Sequence, residues 1–190
     1  ASGNRWESLV IRASNLGYVP DPNLVALYRM DNDGWQDSVS GLYGTTVNGP
    51  SFTTDSKVGS HAGKFRGGVN QDHVITSRQM LLRGESAMTI AMWMKINEYR
   101  SWGGLCISRD GSGSAYGFDQ GDAANKEFWF VVYTPPTVSY TATKFATGTW
   151  IFVVGTWDGT TDGKARTYVN GSLSNTAAVA LYTLIDQKDN

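Results

Sequence analysis

Between Trp150 and Leu173 an apolar segment, an Asp-Gly turn and a second segment ending in Asn-Gly follow one another without interruption. In an extended chain Trp150, Phe152, Val154 and Thr156 share one face while Ile151, Val153, Gly155 and Trp157 share the other, so this segment can be buried on both faces. That pattern predicts a central strand. Asp158-Gly159 opens a polar loop running to Gly163, and Lys164 to Val169 alternates long side chains with small ones. Asn170-Gly171 then supplies the two positive-φ residues that a tight hairpin needs. Together these segments read as a β-meander.

At 190 residues the chain fits one domain with a sizeable core. Only 17% of residues are charged and the net charge is −1, so there is no electrostatic footprint for duplex nucleic acid or anionic membranes, and neither is expected as a partner. The longest apolar runs, Trp150 to Gly155 and Phe128 to Tyr133, fit strands rather than a membrane span, and membrane insertion is not expected. No export signal is visible at Ala1 to Arg5. Cys106, the single cysteine, lies in Leu105-Cys106-Ile107. It reads as a buried structural thiol with no intrachain disulfide and no cysteine metal site.

The meander resembles the closing part of laminin G-like, concanavalin A-like lectin domains, with Trp150, Trp157-Asp158-Gly159 and Tyr168-Val169-Asn170-Gly171 as the matching residues. Upstream segments are similar in the same order. Leu24 to Asp31 resembles the opening strand and Asp37-Ser38 with Gly41 the following polar turn. Gly59, Ala62, Lys64, Phe65 and Gly67 match the next strand, Met88 to Lys95 a central strand, and Leu105 to Gly113 a hairpin. The resemblance implies an antiparallel two-sheet β-sandwich, a jelly roll, over residues 24–190. Because only Ala177 to Ile185 follows the last hairpin before the terminal residues, the sandwich reads as short of one or two closing strands: either the natural chain continues past Asn190, or the first strand carries an open edge that another chain covers. Residues 1–23 read as an arm. Asn4 caps a short helix with Trp6, Leu9, Val10 and Leu16 near helical spacing and Gly17 as a stop, and Tyr18 to Asn23 is a linker.

The four glutamates, Glu7, Glu85, Glu98 and Glu127, have no other acid two or four residues away. The paired carboxylates of a sandwich-fold glycosidase are therefore absent from any one strand. His61 and His73 are the only histidines, and no serine sits in a nucleophile elbow. The chain is expected not to be an enzyme. Aspartates gather in three connections: Asp31, Asp33 and Asp37; Asp119 and Asp122; Asp158 and Asp162. Aspartate builds turns by accepting its own following amides, but loop carboxylates at one rim also suit a hard cation. The resemblance implies calcium there, with Asp31, Asp37 and Asp119 as candidate ligands.

Sugars present apolar ring faces to aromatics and hydroxyls to polar groups. Trp102, bracketed by glycines, and Trp35, Tyr116 and Tyr140, at strand ends or in loops, are the candidate stacking residues, with Arg100 for hydroxyls. Trp93, Trp129, Trp150 and Trp157 lie within apolar strands and are assigned to the core. The expected function is non-catalytic carbohydrate or surface-glycan recognition, outside the cell or on a virion or cell surface. The alternative is a structural or decoration subunit of a larger particle or filament. Its partner would be another protein subunit or a second copy, held through the N-terminal arm and the open sheet edge.

Overall fold

The computed structural model describes residues 3–8, 22–31, 34–67, 70–76, 85–100, 103–109, 115–121, 124–134 and 137–179. Two antiparallel sheets dominate it. The larger is built from β1 (Gly3–Ser8), β3 (Ser51–Thr53), β4 (Ala62–Arg66), β6 (Ala87–Lys95), β11 (Ile151–Asp158), β12 (Lys164–Val169) and β13 (Ser172–Ala178). Its strand order is β13-β12-β11-β6-β1-β4-β3. The smaller consists of β7 (Gly104–Arg109), β8 (Ala115–Gln120), β9 (Glu127–Thr134) and β10 (Thr137–Lys144), in the order β10-β9-β8-β7. A separate ribbon pairs β2 (Thr45–Val47) with β5 (His73–Ile75).

The period-2 pattern of the central strands decides how the sheets face each other. Met88, Met92 and Met94 of β6 and Ile151, Val153 and Trp157 of β11 are buried against Phe118, Phe128, Phe130 and Val132 of the smaller sheet. Each such side chain contributes about 1.5–3 kcal/mol by leaving water. Gly155 faces inward among them. A Cβ there would stand 2.3 Å from Phe130 Cδ2, so the Phe130 ring occupies the space a side chain would need. Burial of β11 is one-sided, contrary to the two-faced reading: Phe152, Val154 and Thr156 point outward and are half-buried. The β12–β13 hairpin turns on Asn170 (φ 50°) and Gly171 (φ 85°), as its Asn-Gly sequence predicts. At the far edge Asn175 Nδ2 donates to the Ala142 carbonyl at 2.7 Å, fastening β13 to β10 of the other sheet.

The expected N-terminal helix is replaced by a strand. β1 lies in the middle of the larger sheet, with Asn4 opposite Phe65 of β4 and Trp6 opposite Met94 of β6; the remainder of the expected helix, through Leu16, falls outside the described residues. Helical spacing was a local signal, and the unpaired edges of β4 and β6 offer the backbone a ladder on both sides that outweighs it. The open edge is thereby relocated: the larger sheet ends at β3 and β13, with β1 filling its interior. Leu24 to Asp31 does not form the opening strand. Its pairing is a single bridge from Tyr28 to Asp37, and Met30, with φ 56°, breaks the extended backbone. Met30, Trp35 and Phe65 form a second, smaller core.

Candidate ligand-binding site

The structure separates the eight sequence-nominated residues into three groups. Trp35 is 7% exposed. Its ring lies 4.6 Å from that of Phe52 and 5.3 Å from that of Phe65, and a Cβ on Gly63 would collide with it at 2.6 Å. Its faces are covered by protein, which corrects the stacking role. Tyr116 of β8 stands opposite Val132 and packs against the main core, so it too faces inward. Tyr140 of β10 takes the register position opposite Val131. Trp102 lies outside the described residues.

The three aspartates nominated for calcium do different work. Asp37 Oδ1 accepts the Leu27 and Val39 amides at 2.9 and 3.0 Å, and Oδ2 accepts the Ser40 hydroxyl at 2.6 Å; its carboxylate organises a turn from inside. Asp31 Oδ1 accepts the Ser60 amide at 2.8 Å and tethers the β3–β4 loop at Gly59. Asp119 belongs to β8 rather than to a connection, opposite Trp129 and 2% exposed. Among the described residues no three His, Cys, Asp or Glu side chains converge as a metal site, so these three carboxylates do not form a common one. Asp158 follows the turn-building expectation. Oδ1 accepts the Thr160 and Thr161 amides, both at 2.9 Å, and these bonds hold its carboxyl down at about 2.

Arg100 and Asp119 are brought to one end of the smaller sheet. Gln120, buried at the end of β8, donates its backbone N–H to the Gly103 carbonyl at 2.8 Å. Its Oε1 accepts the Arg100 amide at 2.5 Å, so a buried amide side chain fixes the β6–β7 connection. The Arg100 guanidinium passes over Gly67, where a Cβ would come within 2.9 Å of Nε, and donates to Glu98 Oε1 at 3.0 Å. On the outer face of the same strands lies Trp129. Phe118 and Phe130 are a cross-strand pair facing the core, so their neighbours Asp119 and Trp129 face out. A Cβ on Gly121 would lie 2.3 Å from Trp129 Cε2. The absent side chain makes a seat for the indole, whose Nε1 donates to Glu127 Oε2 at 3.2 Å. Glu127 Oε1 in turn faces Lys144 Nζ at 3.9 Å.

Sequence reasoning placed Trp129 in the core, as it did Trp93 and Trp150; all three are half-buried, and only Trp157 of that group is a core residue. A signal was present. Glu127 and Trp129 share a strand parity, and a charged residue on that parity marks the solvent side. The fold also creates an acid pair that no single strand carries, since Asp119 and Glu127 come to the outer face of adjacent strands on either side of Trp129. The chemistry available is therefore an indole bordered by the Glu127 carboxylate and the Lys144 ammonium, suited to an amphiphilic ligand.

Comparison with curated proteins and with solved structures finds no match. A laminin G-type family profile described as the concanavalin A-like lectin/glucanases superfamily matches residues 66–190, the greater part of the chain, from the last residue of β4 through β13. The chain belongs to the concanavalin A-like lectin/glucanases superfamily.

Proposed function

We propose that this domain is a non-catalytic carbohydrate-recognition module that binds surface glycans at the outer face of the smaller sheet. The observation carrying this reading is the seating of Trp129: an indole held over Gly121 and anchored through Nε1 to Glu127 loses little freedom when a sugar ring stacks on it. Glu127 and Lys144, beside the indole, supply an acceptor and a donor for hydroxyls. A hydrolytic role for Asp119 and Glu127 is disfavoured because Asp119 is almost fully covered and Glu127 is engaged by Trp129. A glycosidase needs two carboxyl groups open to the glycosidic bond and a water.

A glycan array followed by calorimetry on its hits tests this. Trp129→Ala should weaken binding by about 1–3 kcal/mol, roughly ten- to a hundredfold, with little change in the melting midpoint. Unchanged affinity in Trp129→Ala, or the absence of any glycan hit, would refute the site. Release of new reducing ends that stops in Glu127→Gln would refute the non-catalytic assignment. A structural or decoration subunit is the second reading, favoured by the exposed Leu42, Tyr43 and Ile75 around the β2–β5 ribbon, a surface that suits burial against another subunit.

A further inference from the structure

Asn-Gly occurs twice in the chain, at Asn48-Gly49 and Asn170-Gly171. Such a pair is chemically labile, because glycine has no Cβ to keep its nitrogen away from the preceding carboxamide. The two backbones are nearly alike: φ is 60° and 81° at the first pair and 50° and 85° at the second, and all four residues are exposed. What differs is the hold on each carboxamide. Asn170 Oδ1 accepts the Phe152 amide at 3.0 Å while the Asn170 amide donates to the Phe152 carbonyl at 2.8 Å, and the hairpin closes beside it with Val169 opposite Ser172. Asn48 leads from β2 to β3, which lie in different sheets, so no ladder closes across its turn. Its Nδ2 stands 3.5 Å from the Gln71 carbonyl, the outer limit of a hydrogen bond.

The peptide oxygen between Asn48 and Gly49 also accepts a bond from Arg66 Nη2. Arg66 is itself fixed, since Nε and Nη2 donate to the Asp72 carboxylate at 2.9 and 3.0 Å and the Asp72 side chain has no exposed surface. We propose that Asn48 is a self-modification site, converted by the amide of its own Gly49 with Arg66 as the stabilising cation, while Asn170 is spared. Gly49 gives its amide proton to hydroxide and its nitrogen attacks Asn48 Cγ. The Cγ–Nδ2 bond breaks, Nδ2 takes a proton from water and leaves as ammonia, and a succinimide closes. Water then adds to either ring carbonyl and cleaves its bond to nitrogen, giving aspartate or isoaspartate. The charge of the deprotonated amide is shared with the peptide oxygen, where the guanidinium stabilises it much as an oxyanion-hole donor does. In isoaspartate the main chain runs one carbon longer between the ribbon and the larger sheet. Either product brings a carboxylate to compete with Asp72 for Arg66, and the Trp129 site takes no part.

The test incubates the full chain in mildly alkaline buffer, follows both sites by peptide mapping with mass spectrometry, and labels isoaspartate with protein isoaspartate methyltransferase. Asn48 should convert about fivefold faster than Asn170, the worth of the one hydrogen bond that the Asn170 carboxamide must break. In denaturing urea neither site is held, so the two rates should come together. Arg66→Gln/Asp72→Asn keeps a neutral hydrogen-bonded pair. It should slow Asn48 about fivefold, the gap between a charged and a neutral hydrogen bond, and leave Asn170 unchanged. Faster conversion of Asn170 in that variant would report unfolding, and the native and urea-treated parent then decide between them. Asn170 converting as fast as Asn48 in the native chain, or the same ratio persisting in urea, overturns the inference. So does an Asn48 left intact in the native chain over a time that converts it in urea, or an unchanged Asn48 rate in the folded double variant.

Discussion

Gly155→Ala should destabilise the domain even though alanine is the better strand residue. The added Cβ would stand 2.3, 2.4 and 2.6 Å from three atoms of the Phe130 ring, against the ~3.5–4.0 Å of an ordinary carbon contact. Phe130 is fully buried and its ring lies 5.2 Å from that of Phe118, so it has no solvent to move into. Relief requires a tilted ring or parted sheets, a kind of overpacking that costs about 1–3 kcal/mol. Loss of glycine's freedom in the unfolded chain offsets about 0.4–1 kcal/mol of that. The net loss is about 1–2 kcal/mol, or a fall of roughly 3–6 °C in melting midpoint for a domain of this size. Urea unfolding followed by fluorescence gives the value, and Phe130→Leu supplies the control. Because leucine vacates the contested space, the double variant should be more stable than the sum of the singles by about 1 kcal/mol or more. Gly121→Ala meets an equally close indole, Trp129, held by Glu127, so it too should cost about 1–3 kcal/mol. A Gly155→Ala midpoint at or above the parent's, or strict additivity with Phe130→Leu, would show that the inter-sheet contact is not as close as described.

Asp158 should make the β11–β12 connection acid-sensitive. Its folded carboxyl sits at about 2 against an ordinary 3.8, chiefly because the Thr161 and Thr160 amides bond the charged form. Its contribution is complete above the ordinary value and is lost as pH falls through the folded one. The urea midpoint should therefore decline between about pH 4 and 2 less steeply in Asp158→Ala than in the parent, and equal slopes would contradict the assignment. For calcium, Asp37 is consumed by its own turn and Asp31 by Ser60, so melting midpoints in calcium and in chelator should coincide. A calcium-dependent rise that Asp31→Asn removes would restore the rim cation.

Features encoded by neighbouring residues were legible in the sequence. The strand of Ile151 to Trp157, the Asp158 turn and the Asn170-Gly171 hairpin each depend on a few consecutive side chains and each is present, although the strand is buried on one face rather than the two expected. β1 was not legible. Its six residues, Gly3 to Ser8, carry no strong periodicity, and their conformation is decided by β4 and β6, far along the chain. The candidate site around Trp129 was not legible. Asp119, read as a loop acid, is a covered strand residue of β8, and Trp129 was hidden by the assumption that a tryptophan in an apolar strand is buried. Parity would have corrected this: Lys95 shares a face with Trp93, and Glu127 shares one with Trp129. The acid pair of Asp119 and Glu127 could not be seen without knowing that β8 and β9 are adjacent and in that register.

The position of β1 also sets the order in which the domain can be assembled. All neighbouring strands of the smaller sheet, and β11 to β13 of the larger one, follow one another in the chain, so they need only short loops to close and can form early. β1 must wait. Arg5 pairs with Lys64 on one side and Lys95 on the other, so the middle of the larger sheet stays unfilled until the polypeptide has been made well past β6. Contacts of such long sequence separation form slowly, and until they do, the facing edges of β4 and β6 are open to any extended chain nearby. During synthesis the domain should thus pass through a stage in which its C-terminal hairpins are protected from hydrogen exchange while β1 is not, and pulse labelling that finds β1 protected first would exclude this order.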